Sequence, residues 1–279
     1  VQSGIRTDAS PGDLVSLGSL FYVPLVVFYR ADTPVEWLSG LFSRRIAVGR
    51  EGSGTRFLAL TLLKDNGIEP GGATPLLDLH GEEAAKALLD GEVDAAFLSG
   101  DSATPTVIRR LLWTPGVRML DFPQADAFAR RHRYLNKLEL PMGAFDFGKN
   151  LPPKTIYLVG PTADLIARRN LHPAISDLLI EAAREVHGGA TLLQNAGQFP
   201  APVAHEFPMS EEALRFYRSG KSLLYRSLPF WLASLADRAL VGASRDAVLA
   251  RADVLLRALA EPDHKRRLRD GQAWMGGSA

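Results

Sequence analysis

The spacing of apolar positions changes along the chain, and the changes mark its elements. From Leu14 to Tyr29 the text is a nearly unbroken apolar run. Its later half is rich in β-branched and aromatic residues, which predicts a buried strand ending at Arg30. Pro24 inside that run predicts an edge position or a break into two pieces. Thr33–Gly40 reads as a short helix or loop, Arg45–Gly49 as a strand, and Thr55–Asn66 as a helix stopped by Gly67. Helical patterns at Glu82–Leu89, Pro105–Leu112 and Ala125–Arg133 then alternate with short apolar strands at Val93–Leu98 and Val117–Phe122. Such alternation predicts an α/β domain with a parallel sheet. Thr155–Val159 is a second long strand candidate, and Pro161-Thr162 leads into an expected helix over Asp164–Arg169. A stronger helix is expected over Pro173–His187, closed by Gly188-Gly189, and Ser210-Glu211-Glu212-Ala213 opens another. Two long apolar strands thus flank an α/β unit over 30–154, a layout for two lobes between which the chain crosses twice.

Composition narrows the classes. The chain has 279 residues, 46% hydrophobic and 23% charged, which suits a globular protein of two domains or one large α/β domain. Lys and Arg number 32 against 31 Asp and Glu, a net charge of +1, so no global electrostatic grip on nucleic acid is expected. The absence of cysteine excludes disulfides, thiol nucleophiles and Cys-bound metal. The histidines show no metal-site spacing, so no metal and no cofactor are expected. The most apolar late stretch, Leu223–Ala243, contains Arg226, Asp237 and Arg238 and does not read as a membrane span. Arg215–Arg245 combines many cations with Phe216, Tyr217, Tyr225, Phe230 and Trp231. It reads as a nucleic-acid or membrane-surface contact, or as a packed terminal helix with solvated Arg heads. The opening Val1-Gln2-Ser3-Gly4, without Met or a signal peptide, suits a processed or partial chain.

One motif carries chemistry. Gly49-Arg50-Glu51-Gly52-Ser53-Gly54-Thr55 lies between an expected strand and an expected helix. Glycines allow close backbone approach, and free N–H groups at a helix start favour an anion. Ser53 and Thr55 would add hydroxyl donors. A phosphate-binding P-loop needs Lys where Thr55 stands, a dinucleotide fingerprint needs Gly where Phe57 stands, and a serine nucleophile elbow needs Gly where Glu51 and Thr55 stand. A plain helix cap at Ser53 or Thr55 and an anion site are both compatible with the spacing.

Several stretches in order resemble one family. Val48-Gly49 through Gly52-Ser53-Gly54-Thr55-Arg56, the segment Gly91-Glu92-Val93-Asp94-Ala95-Ala96-Phe97 with Ser99-Gly100, and Leu20-Phe21-Tyr22-Val23-Pro24-Leu25 are similar to the TAXI group of solute-binding proteins. These are the receptor subunits of tripartite TRAP transporters. Leu171-His172-Pro173-Ala174, Glu185-Val186-His187-Gly188-Gly189, Phe199-Pro200 and Pro229-Phe230-Trp231-Leu232-Ala233 resemble a larger, membrane-attached branch of the group.

The resemblance implies an α/β fold of the type II periplasmic binding protein kind, with two lobes joined by two crossover strands. Lobe one would comprise 1–29 plus 160–279, and lobe two 30–159 with its ligand loop at 49–56. It implies an extracytoplasmic receptor without catalytic residues that binds a small organic acid or amino acid, such as glutamate, for TRAP membrane subunits. Binding roles fall on Gly52, Ser53, Gly54, Thr55 and Arg56, and on Tyr22, Phe97 and Ser99. Family members carry a further stretch before the position of Val1, so lobe one is expected to be incomplete. The text after residue 241 departs from the family. An enzyme on the same framework acting on an acidic substrate, and a membrane-associated interaction protein, are the other readings. A location in the periplasm or otherwise outside the cytoplasm follows from the resemblance, with membrane association through 215–245.

Overall fold

Pro24 does break the first apolar run. In the computed structural model, which describes residues 1–4, 13–203 and 206–220, strand β1 spans Leu14–Tyr22 and β2 spans Leu25–Arg30. The described residues all fall in one compact unit, Val1–Gly220. After β2 come β3 (Ile46–Ala47), α1 (Gly54–Asp65), β4 (Leu76–Leu77), α2 (Gly81–Leu89), β5 (Ala95–Ser99) and α3 (Pro105–Trp113). They are followed by β6 (Val117–Met119), α4 (Ala125–Arg131), β7 (Asn136–Leu140), β8 (Ile156–Gly160) and β9 (Thr162–Arg168). Helices α5 (Pro173–His187) and α6 (Glu211–Ser219) close the described chain. The α/β class and the two crossing passages expected from the sequence are present.

The strands form two sheets. β1 pairs antiparallel with β9, and the other seven form one sheet in the order β4-β3-β5-β2-β8-β7, with β6 also on β2. Only β3 runs parallel to its neighbours β4 and β5; the remaining pairs are antiparallel, so the expectation of a parallel sheet needs correction. The reason lies in the passages. The chain enters the large sheet at Leu25 and leaves it at Gly160, and the entering and leaving strands pair at Leu25–Val159. A strand that arrives from the small sheet must run against β5. The two passages touch, since the Val23 N–H donates to the Pro161 carbonyl at 2.8 Å.

The expected helix over Asp164–Arg169 is instead strand β9. Its short polar residues Thr162 and Asp164 face buried hydroxyls, and pairing with β1 outweighs local helix propensity. β7 was not expected from the sequence; its alternating Leu138 and Leu140 are buried.

The large core gathers Phe28, Phe97, Leu98, Leu58, Leu62, Leu88 and Leu111 from both faces of the seven-stranded sheet. A smaller core under β1 and β9 consists of Leu17, Ile180, Ala213 and Phe216. Ser53, Thr104 and Ser210 cap α1, α3 and α6 by accepting the N–H groups of Arg56, Val107 and Ala213. No helix among the described residues is long and apolar enough to cross a membrane.

In the described part of the Arg215–Arg245 region three side chains are engaged by the fold. Arg215 pairs with buried Asp177 at 2.6 Å, Phe216 is in the small core, and the Tyr217 hydroxyl donates to the Leu17 carbonyl at 3.0 Å. The remainder, 221–245, lies outside the described residues. Gly18, at φ +130° beside a β1 bulge, lets Tyr217 approach: a Cβ there would fall 2.2 Å from the phenol oxygen. Burial pushes the Tyr217 phenol up to about 12, against the opposing charge of Arg184. The unfolded phenol ionises near 10, so the stability held in neutral, buried Tyr217 is complete below pH 10 and is lost as pH rises through 12. An ultraviolet titration is expected to show Tyr217 ionising last among the described tyrosines, and Tyr217→Phe to remove that last step.

Candidate functional site

The glycine loop leads from β3 into α1. Gly49 (φ +91°) and Gly52 (φ +74°) supply the left-handed turns that a side chain would strain, and Gly52 opens to solvent. The Gly49 N–H is tied to the Leu79 carbonyl, and the Ser53 N–H to that of Arg50. No described residue accepts a hydrogen bond from the N–H groups of Gly54 and Thr55. The same holds for the N–H groups of Arg50, Glu51 and Gly52, so the loop carries several backbone donors at the positive end of a 12-residue helix.

The hydroxyls expected to help them are used elsewhere. Ser53 Oγ accepts the Arg56 N–H at 3.2 Å and donates to the Arg50 carbonyl at 2.7 Å, so the cap reading holds for this side chain. Thr55 is buried; its Oγ1 donates to the Ser99 carbonyl at 3.2 Å and lies 3.3 Å from Ser102 Oγ. Arg56 turns back on the loop, donating to the Gly49 carbonyl at 3.2 Å and pairing with Asp78. The loop is therefore stiffened by its own side chains, and what it presents outward is backbone.

The other sequence-predicted residues divide. Ser99, at the end of β5, is brought against Thr55. Phe97 is fully buried in the large core. The alternation of β5 does not separate its two faces, because helices cover both. Tyr22 lines a different cavity, of about 450 Å³, with Phe21, His187, Thr191, Leu193 and Gln194. Its hydroxyl accepts from Gln198 at 2.8 Å, its ring meets Phe199 edge-on, and burial raises its phenol above the ordinary range. A further groove of about 620 Å³, walled by Tyr29, Trp37, Leu112, Leu151 and Pro152, lies apart from both.

Gln2 is the residue that sequence reasoning missed. Its backbone bridges to Ala163 of β9, and its Nε2 donates to the Gly54 carbonyl at 3.4 Å. A Cβ on Gly54 would sit 2.2 Å from Gln2 Oε1, so glycine at 54 is what admits this side chain. Ser3 fixes the segment: its Oγ donates to the Asp164 carboxylate at 2.7 Å and its N–H to the Thr162 carbonyl at 2.9 Å. No sequence motif announces a contact between residues 2 and 54; it arises because the first residues pair beside β9.

A glycine-rich strand-to-helix loop and two sheets joined by adjoining passages make this an α/β protein. The chain belongs to the NMT1-like family, which residues 7–173 match. No curated protein matches the sequence. Among solved structures it is similar to the periplasmic aliphatic sulphonate binding protein SsuA from Escherichia coli. That likeness has 17% identity and a TM-score of 0.38, over 63% of this chain and 49% of SsuA. It is also similar to a periplasmic binding protein of an ABC transporter from Brucella ovis with glutathione bound (17% identity, TM-score 0.39, 67% and 48% covered). A third is ArtJ, the arginine-, lysine-, histidine-binding protein from Geobacillus stearothermophilus (17%, TM-score 0.36, 67% and 64%). The chain spans about half the length of the first two.

Proposed function

We propose that this chain is the solute-recognising part of an extracytoplasmic receptor. It takes a small organic acid or an amino acid such as glutamate and presents it to membrane subunits of a TRAP-type transporter. The observation that carries the reading is the start of α1: the Gly54 and Thr55 amides have no acceptor among the described residues and stand beside Gln2. An anionic group would accept from these amides, favoured by the helix dipole. The Gln2 carboxamide would turn to the guest's polar remainder. Lobes formed by 1–29 with 160–220 and by 30–159 would close over it about the touching passages at Val23 and Pro161, burying the guest among preorganised donors. Nothing in it calls for catalysis, a metal or nucleic acid.

The test is thermal unfolding of the full chain against a panel of dicarboxylates and amino acids. A true ligand is expected to raise the midpoint with concentration, adding about 2.7 kcal/mol at one hundred times its dissociation constant. Gly54→Ala, whose new methyl group displaces a flexible side chain rather than backbone, is expected to fold and to bind on the order of tenfold more weakly, a difference of about 1.4 kcal/mol. No midpoint shift with any acid on the panel overturns the reading.

A further inference from the structure

The hairpin joining β7 to β8 ends in a firmly built turn. The Gly143 N–H donates to the Pro152 carbonyl and the Phe145 N–H to that of Leu151, both at 2.9 Å. The Leu151 N–H returns to the Asp146 carbonyl at 2.9 Å, and the Asp146 carboxylate accepts the Lys149 N–H at the same distance. This ordered turn nevertheless holds Phe147 at its apex with 90% of its surface in water, and Met142 beside it at 54%. A loose loop could tuck a phenyl ring away; a hydrogen-bonded turn that projects one presents it.

Trp113, at the end of α3 and 48% exposed, stands next to the turn. Lys149 lies 4.9 Å from its ring centroid and Arg109 lies 5.9 Å away. Neither cation has a carboxylate in ion-pair range among the described residues, whereas neighbouring Arg110 pairs with Glu82 and Lys154 with Asp121. The groove beside Leu112 and Leu151 continues the apolar surface behind the tip.

We propose that this hairpin tip, with Phe147 and Met142 at its apex and Trp113, Arg109 and Lys149 around them, docks on an anionic lipid surface. The two unpaired cations complement acidic headgroups. The indole belongs at the headgroup level, where one end is wet and the other apolar. The phenyl ring projects far enough to enter the acyl boundary. A protein partner would need a hollow shaped to that ring, while a fluid lipid layer needs none. The surface is separate from the glycine loop, so it stands whether or not the solute reading does.

Cosedimentation of the full chain with phosphatidylcholine vesicles, with and without 30 mol% (about a third) phosphatidylglycerol, tests it. Binding is expected only to the anionic vesicles and is expected to fall with salt. The double variant Phe147→Ser/Lys149→Glu is expected to lower the partition coefficient by at least about tenfold with an unchanged circular dichroism melt. Phe42→Ser, which removes an exposed aromatic elsewhere on the same unit, is expected to bind as the parent does. Absence of binding to anionic vesicles overturns the proposal. So does undiminished binding by the double variant, which would move the contact to another part of the chain, or an equal loss in Phe42→Ser.

Discussion

Replacing Phe97 by alanine is expected to destabilise the fold by about 3–5 kcal/mol, the usual cost of truncating a fully buried phenyl ring. Phe97 sits at the centre of β5, paired with Val27 of β2, and none of its surface reaches water. α1 and α2 both lie on β5, so the space left by the ring has packed elements around it that cannot simply collapse inward. Urea unfolding followed by circular dichroism should show a lower midpoint with an unchanged slope. Phe97→Leu keeps most of the volume and is expected to lose less than about 1.5 kcal/mol. The resemblance placed this residue among the ligand contacts. A variant that kept its stability and lost only solute affinity would restore that role and remove Phe97 from the core.

Phe97 also shows what the text of the chain could and could not convey. Its strand was readable, because Val93–Leu98 is a short apolar run. The direction of its side chain was not, since a strand covered by helices on both faces has no polar alternation to orient it. The helices were readable from apolar spacing backed by end signals: Ser53 before α1, Thr104-Pro105 before α3 and His172-Pro173 before α5 all stand where the helices begin. β9 was read as a helix after Pro161-Thr162 although Ala163, Leu165 and Ala167 alternate as in a strand, and pairing with β1 is what the alternation serves. The glycine loop was legible as a place, yet the division of labour within it was not. Whether the Ser53 hydroxyl serves a guest or the helix depends on where the Arg56 N–H lies, and whether Thr55 faces out depends on Ser99 and Ser102, more than forty residues away. Gln2 was invisible for the same reason: its partner is across the fold.

Asp164→Ala is the second large effect, expected to cost about 3 kcal/mol. The Asp164 carboxylate is buried and accepts three hydroxyls, from Ser3 at 2.7 Å, Ser19 at 2.7 Å and Thr162 at 2.9 Å. No cation pairs with it among the described residues, and those hydroxyls are the donors the described residues give it. Deleting the carboxylate strands three donors at once, each left with poorer acceptors such as the Val203 carbonyl at 3.4 Å from Ser19. Asp164→Asn preserves the shape but turns one acceptor into a donor facing donors; rotation of the hydroxyls offsets part of this, so about half the loss is expected. Chemical denaturation separates the two variants. The alanine variant also has a consequence beyond stability. Ser3 is anchored by this carboxylate, and Ser3 follows Gln2, whose side chain reaches Gly54. Releasing Ser3 lets the first residues leave β9, so solute affinity should fall in Asp164→Ala even below the temperature at which it unfolds. Ser3→Ala, which cuts that one anchor and leaves Ser19 and Thr162 on the carboxylate, should lower affinity with a loss of only about 1 kcal/mol in stability. If Ser3→Ala binds solute as tightly as the parent, Gln2 is not held in place by this cluster.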